Sequence, residues 1–150
     1  MAFPASGLFV PTFVGALKAT LNALDLDLET HKVALYTNTI VAPDLTVDTA
    51  YAVAPWNANE VVGTGYSAGG ATVITTTWAH TSAGVVMWDA ADPSWATATI
   101  TARGALYYAN ASTPKLAIVA QTFGADIVST AGTFLITLAA GGIFSIDFVP

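Results

Sequence analysis

Apolar residues recur along this chain at two spacings. Between residues 12 and 24, Phe13, Leu17, Leu21 and Leu24 fall at i, i+4, i+8 and i+11. That is one face of a 3.6-residue period and predicts a helix. Thr12 stands where an N-cap hydroxyl would, and Gly15 weakens the helix by about 1 kcal/mol relative to Ala. From His31 the period changes to two. His31-Lys32-Val33-Ala34-Leu35-Tyr36-Thr37 sets Val33 and Leu35 on one face, as in a half-buried strand. Further strands are predicted over 71–78, 84–88, 95–108, 115–121, 132–138 and 143–148, where short apolar, Thr-rich and aromatic runs lie between turn residues. Gly104 reads as a bulge, Asp89 to Ser94 as a turn around Pro93, and Gly141-Gly142 as a hairpin joining the last two strands. Residues 38–59 carry no periodicity, and a connection of that length is well beyond the usual 4–6 residues. One helix followed by about 6–8 short strands predicts a mainly β fold, an antiparallel β-sandwich or barrel. The organisation is an N-terminal arm (1–11) and a single β-rich domain (12–150) that begins with the helix.

Composition narrows the classes of function. Hydrophobic residues make up 54% of the chain and charged residues 9%; four basic and ten acidic side chains give a net charge of −6. Four scattered cations leave no footprint for nucleic acid. With no cysteine there is neither a disulfide framework nor a thiolate metal site. Mean hydropathy is high, at +0.61, yet no run reaches the ~20 apolar residues of a spanning helix. Phe9 to Leu24 is broken by Pro11, Lys18 and Asn22, and the N-terminus lacks the positive n-region of a secretory signal. Neither a membrane nor a nucleic-acid partner is expected. The arm places Phe3, Leu8, Phe9 and Val10 among Pro and Gly punctuation. An exposed apolar arm is a liability in a free monomer and predicts docking on a neighbour. Trp56, in the long loop, is a further aromatic anchor for a protein interface.

Candidate chemistry is sparse. His31 and His80 are the only imidazoles and Gly-x-Ser-x-Gly is absent, so no nucleophile triad is predicted. The run Gly63-Thr64-Gly65-Tyr66-Ser67-Ala68-Gly69-Gly70 has the wrong spacing for a dinucleotide fingerprint, and no Lys-Ser/Thr follows it. It reads as a turn where two segments approach closely. Asp25, Asp27 and Glu29 alternate and read as a solvated acidic edge, since the rest of a Ca²⁺ loop is missing. Asp89 and Asp92 beside Trp88 and Trp95 suggest a general acid/base pair on a sugar, but two aspartates around a Pro turn are better read as backbone caps. Asn110-Ala111-Ser112 has the form of a glycosylation sequon. The expectation is a chain with no catalytic residue, no cofactor and no metal.

Several blocks in order then suggest a family: Lys32-Val33-Ala34-Leu35-Tyr36-Thr37-Asn38, Asn59-Glu60-Val61-Val62-Gly63-Thr64-Gly65-Tyr66-Ser67-Ala68-Gly69-Gly70, Trp88-Asp89-Ala90-Ala91-Asp92-Pro93-Ser94-Trp95, Ala98-Thr99-Ile100-Thr101-Ala102-Arg103, and Phe123-Gly124-Ala125-Asp126 before the C-terminal residues. Over about residues 30–148 the chain resembles small structural proteins encoded among the virion genes of tailed bacteriophages. The resemblance implies a virion component. With the low charge and the apolar arm, it leads to the expectation of a capsid decoration (cement) protein on the exterior of the head. Its partners would be the major capsid protein and copies of itself, a trimer being favoured. The alternative is a tail or fibre component that binds a host-surface receptor.

Overall fold

In a computed structural model of the chain, residues 6–17, 24–28, 30–82 and 84–148 are described. The order is β1 (Gly7–Leu8), α1 (Val10–Leu17), β2 (Lys32–Tyr36), β3 (Ala71–Thr72), β4 (Thr77–Ser82), β5 (Val85–Asp89), β6 (Ser94–Tyr108), β7 (Ala117–Leu135) and β8 (Phe144–Asp147). The strands form two antiparallel sheets, one of five strands ordered β1-β7-β6-β2-β3 and one of three ordered β4-β5-β8. The mainly β fold with one N-terminal helix therefore holds, as two packed sheets.

Alternation along the strands of the large sheet covers both of its faces. Val33 and Leu35 of β2, with Tyr107 of β6 and Ile118 of β7, meet Trp88 of the small sheet in one core. Trp88 stands edge-on to Tyr107 with ring centroids 6.1 Å apart, and its indole N–H donates to the Leu26 carbonyl at 2.9 Å. Ala34, Tyr36, Leu106 and Tyr108 point the other way, into a second core with Phe9, Ile40 and Trp56. The long 38–59 loop thus acts as a third layer. Its Trp56 packs edge-on against Tyr36 (5.0 Å) and Phe9 (5.7 Å), and Tyr36 O–H donates to the Trp56 carbonyl at 2.7 Å.

Five details differ from the sequence reading. The segment read as a free arm is, over its described part, a strand of this chain's own sheet, with Gly7 opposite Ala120 and Leu8 opposite Val119. The helix begins at Val10, so Thr12 lies inside it. Its buried hydroxyl donates to the Ala117 carbonyl at 2.6 Å and pins the helix to β7 rather than capping it. The predicted helical residues 18–23 lie outside the described residues. The strand read over 71–78 divides at Thr75, whose φ of 55° turns the chain from the large sheet to the small one. The strands read at 115–121 and 132–138 are one, β7, which pairs with β6 from Tyr108↔Ala117 to Ser94↔Leu135 through several register shifts. Gly141-Gly142 does form a turn, but its flanks belong to different sheets and do not pair as a hairpin.

Candidate interaction surface

The N-terminal segment and α1 build a strongly apolar surface feature. α1 reads Val-Pro-Thr-Phe-Val-Gly-Ala-Leu and holds no charged residue. A helix apolar on more than one face cannot bury all of itself against one sheet. Phe13 turns inward onto Phe144 (5.7 Å, edge-on), and Trp78 closes on the same ring from the other side (5.5 Å). Of these rings, Phe13 and Trp78 also face a groove at the surface. Val10, Val14 and Phe148 remain 49%, 45% and 65% exposed. Between them lies a groove of about 560 Å³, also lined by Leu8, Leu24, Leu26 and Ile146, with no charged side chain in its lining.

Of the residues expected to contact a partner, Leu8 and Val10 line this groove. Phe3 lies outside the described residues. Phe9 and Trp56 are corrections: they are 0% and 1% exposed, packed on each other inside the second core. Each carries an aromatic ring too large to leave in water when a sheet face lies open beside it, and here that face is this chain's own. The sequence reading missed Val14 and Phe148. Val14 carried a signal, since it follows Val10 at i+4 along the flank of the predicted stripe.

The remaining candidates resolve as local structure. The Gly-rich block folds around Glu60. Its carboxylate accepts from Tyr66 O–H (2.6 Å), Gly69 N–H (2.6 Å) and Tyr51 O–H (2.7 Å). Tyr66 oxygen in turn accepts the Leu35 N–H at 2.9 Å, and Tyr108 O–H donates to the Gly69 carbonyl at 2.8 Å. Burial, with Glu60 close by, raises the hydroxyls of Tyr51 and Tyr66 well above the usual phenol range and pushes Tyr108 up to about 12. These phenols are held as donors. The close approach read from the glycines is real: a Cβ on Gly70 would collide with the Val33 carbonyl, and one on Gly63 with the Thr99 carbonyl.

Asp27 accepts the Trp78 N–H, and Asp25 accepts the Asp27 N–H at 3.1 Å. Both are exposed, as a solvated acidic edge requires, and Asp27 in addition ties the turn to β4; Glu29 lies outside the described residues. Asp92 accepts the Leu138 N–H at 2.9 Å, a backbone cap. Ser112 of the sequon donates to the Ala109 and Pro114 carbonyls and accepts from Leu116 N–H. His31 is 3% exposed, donates from Nε2 to the Asp25 carbonyl at 2.7 Å and stands edge-on to Trp88; its burial lowers its pKa. Among the described residues there is no group of three His, Cys, Asp or Glu side chains placed to hold a metal. No protein-family model, curated protein or solved structure matches this chain.

Proposed function

We propose that this chain is a non-catalytic structural subunit of a tailed-phage virion, a decoration protein that covers the outer face of the head by binding the major capsid protein. The observation that carries the reading is the uncharged groove beside α1, with Val10, Val14 and Phe148 exposed on its rim. Contiguous apolar surface of this kind marks protein contacts, and 9% charged residues leave little to keep the exterior hydrated. The commitment of Glu60, Asp27 and Asp92 to hydrogen bonds that hold backbone in place agrees with a passive scaffold. The resemblance of residues 30–148 to phage virion proteins supports the same reading.

The test is add-back to heads purified without this protein. Wild type is expected to saturate them in hundreds of copies, the number a shell lattice offers. Val10→Asp with Val14→Asp is expected to fold, since both side chains are exposed, and to lose head binding. Undiminished binding by the double variant removes the groove as the contact. Labelling of the tail alone, in tens of copies, replaces decoration with the tail reading.

A further inference from the structure

Residues 24–28 form a strap that belongs to no strand and is tied to both sheets. On the side of the small sheet, the Trp88 indole donates to the Leu26 carbonyl at 2.9 Å, the Thr76 hydroxyl to the Asp27 carbonyl at 2.8 Å, and the Trp78 N–H to the Asp27 carboxylate. On the side of the large sheet, His31, the residue before β2, donates from Nε2 to the Asp25 carbonyl at 2.7 Å. Leu26 is buried in the first core, and Leu24 and Leu26 line the groove beside α1. Whatever loosens the strap therefore reshapes the groove.

The His31 tie suits one protonation state. A carbonyl only accepts, so Nε2 carries the hydrogen and the neutral ring leaves Nδ1 bare. Nδ1 is sealed from solvent and has no partner among the described residues. A second proton has to enter there, which makes a buried cation whose new N–H has nothing to bond. Asp25 is the ionisable side chain that shares with His31 the lining of a hollow of about 360 Å³, to which the turn after β6 brings Ser112 and Thr113 but no charge. From β5 comes Trp88, edge-on at 5.6 Å, and behind it Tyr107, a phenol that burial keeps protonated. Lys32, next along the chain in β2, points to the opposite face of the sheet. The Asp25 carboxylate favours the cation, but burial outweighs it and lowers the pKa of the ring. Trp88 is fully buried and its strand is paired on both flanks, to β4 and β8. The strap has no ladder partner, so it is the side that gives.

We propose that His31 is an acid-sensitive latch: a second ring proton lifts the 24–28 strap while both sheets stay folded, and withdraws Leu24 and Leu26 from the groove. An imidazole in water takes up its proton near the ordinary 6.5, and the closed ring does so only at lower pH. The strap is thus fully latched above pH 6.5, and the latch is lost as pH falls through the folded value. Between the two values the opening constant rises about tenfold per pH unit, the weight of one proton. The latch rests on the contacts of His31 and not on the phage reading. Where the groove is the head contact, acid takes away part of its lining.

Hydrogen exchange of the folded chain, corrected for the intrinsic rate at each pH, separates strap from sheet. The Trp88 indole N–H and the Trp78 N–H bond to the strap, whereas the Val61 N–H bonds to the Leu35 carbonyl of β2 at 2.9 Å. The two strap reporters are expected to have opening constants about tenfold or more above that of Val61, independent of dilute urea, as a local opening requires. Their opening constants are expected to rise about threefold or more from pH 7 to pH 5, and His31→Phe is expected to remove the rise. In wild type, without any substitution, the His31 ring is expected to titrate by NMR below pH 6.5. Strap reporters that exchange only together with Val61 and with its urea dependence, a rise that persists in His31→Phe, or a His31 midpoint at or above pH 6.5 overturns the latch. A chain that binds no head at any pH leaves these readings untouched, so failure of the head contact and failure of the latch are told apart.

Discussion

Removing the Glu60 carboxylate tests whether the Gly-rich block is scaffold or site. Three donors converge on it at 2.6–2.7 Å: the hydroxyls of Tyr66 and Tyr51 and the N–H of Gly69. A hydrogen bond to a charged group contributes about 1.5–3 kcal/mol net, so the three together set an upper bound near 4–9 kcal/mol. Part of that is recoverable. Tyr51 is half-buried and regains water when its partner goes. Gly69 is buried, and its N–H is left unsatisfied. Tyr66 still accepts from Leu35 N–H but has nowhere to donate. Two stranded donors at about 1–3 kcal/mol each, with a smaller loss at Tyr51, place Glu60→Ala at about 3–5 kcal/mol. Glu60→Gln keeps the shape and one acceptor oxygen and should cost about 1–2 kcal/mol, while Tyr51→Phe should cost about 1 kcal/mol or less.

Urea unfolding followed by fluorescence of the four tryptophans reads these values. At a slope of ~2 kcal/mol per molar, Glu60→Ala shifts the midpoint down by roughly 1.5–2.5 M with the slope unchanged. The order alanine, glutamine, Tyr51→Phe is as diagnostic as the size. A Glu60→Ala protein within 1 kcal/mol of wild type refutes the structural assignment. So does one that keeps its midpoint but loses binding to its partner, because the block would then be a contact surface.

Gly70→Ala should cost more than about 3 kcal/mol, since a Cβ there meets the Val33 carbonyl at a φ of +71°. Gly124→Ala has a similar φ of +74° with nothing within 4 Å and should cost only the left-handed conformation, about 1–2 kcal/mol; equal losses in thermal unfolding would remove the packing argument. His31 predicts a pH dependence. Burial lowers its folded pKa below the ordinary 6.5, so the unfolded chain takes up the proton more readily. Its contribution is complete above pH 6.5 and is lost as pH falls through the folded value. The melting temperature of wild type should therefore drop as pH falls below 6.5, and the drop should shrink in His31→Phe, which keeps a ring against Trp88.

The strands that the sequence discloses are those whose partners impose alternation. Val33 and Leu35 face one core while Ala34 and Tyr36 face another, and the period of two follows. Gly104 was legible as a bulge because a glycine inside a strand pattern has few other uses, and a register shift does lie between Ala102 and Gly104. β7 was not legible as one strand. Gly124 and the Ser-Thr-Ala-Gly run look like an ending, yet the ladder to β6 absorbs residues at positive φ as bulges and continues. The destination of the segment around Gly141-Gly142 was equally hidden. A turn is written locally, but Trp88 opposite Phe144 commits the following strand to the small sheet, and a long-range pairing leaves no short-range mark. Phe9 and Trp56 failed as surface anchors for the same reason. A single aromatic between prolines has no periodicity to tell which side it serves.

The way this chain uses its few carboxylates bears on how its surface must behave. Asp44 caps Thr46, Asp48 accepts from Asp44 N–H and the Trp56 indole, Asp27 holds Trp78 N–H, and Asp92 holds Leu138 N–H. Each anchors a segment that lies outside a strand or at its end, where backbone donors lack a ladder partner and a side-chain acceptor is worth most. Charge spent in this way does not hydrate the exterior evenly. Val62 is 94% exposed and shares with Val128 a depression whose lining holds no charged residue. Irregular loops fixed by acids at the surface thus lie beside hydroxyl-rich and apolar strand faces. Such a surface associates through shape rather than through ion pairs. Head binding should therefore be insensitive to added salt, and a steep fall between low and high ionic strength would show that charge, and not the groove, makes the contact.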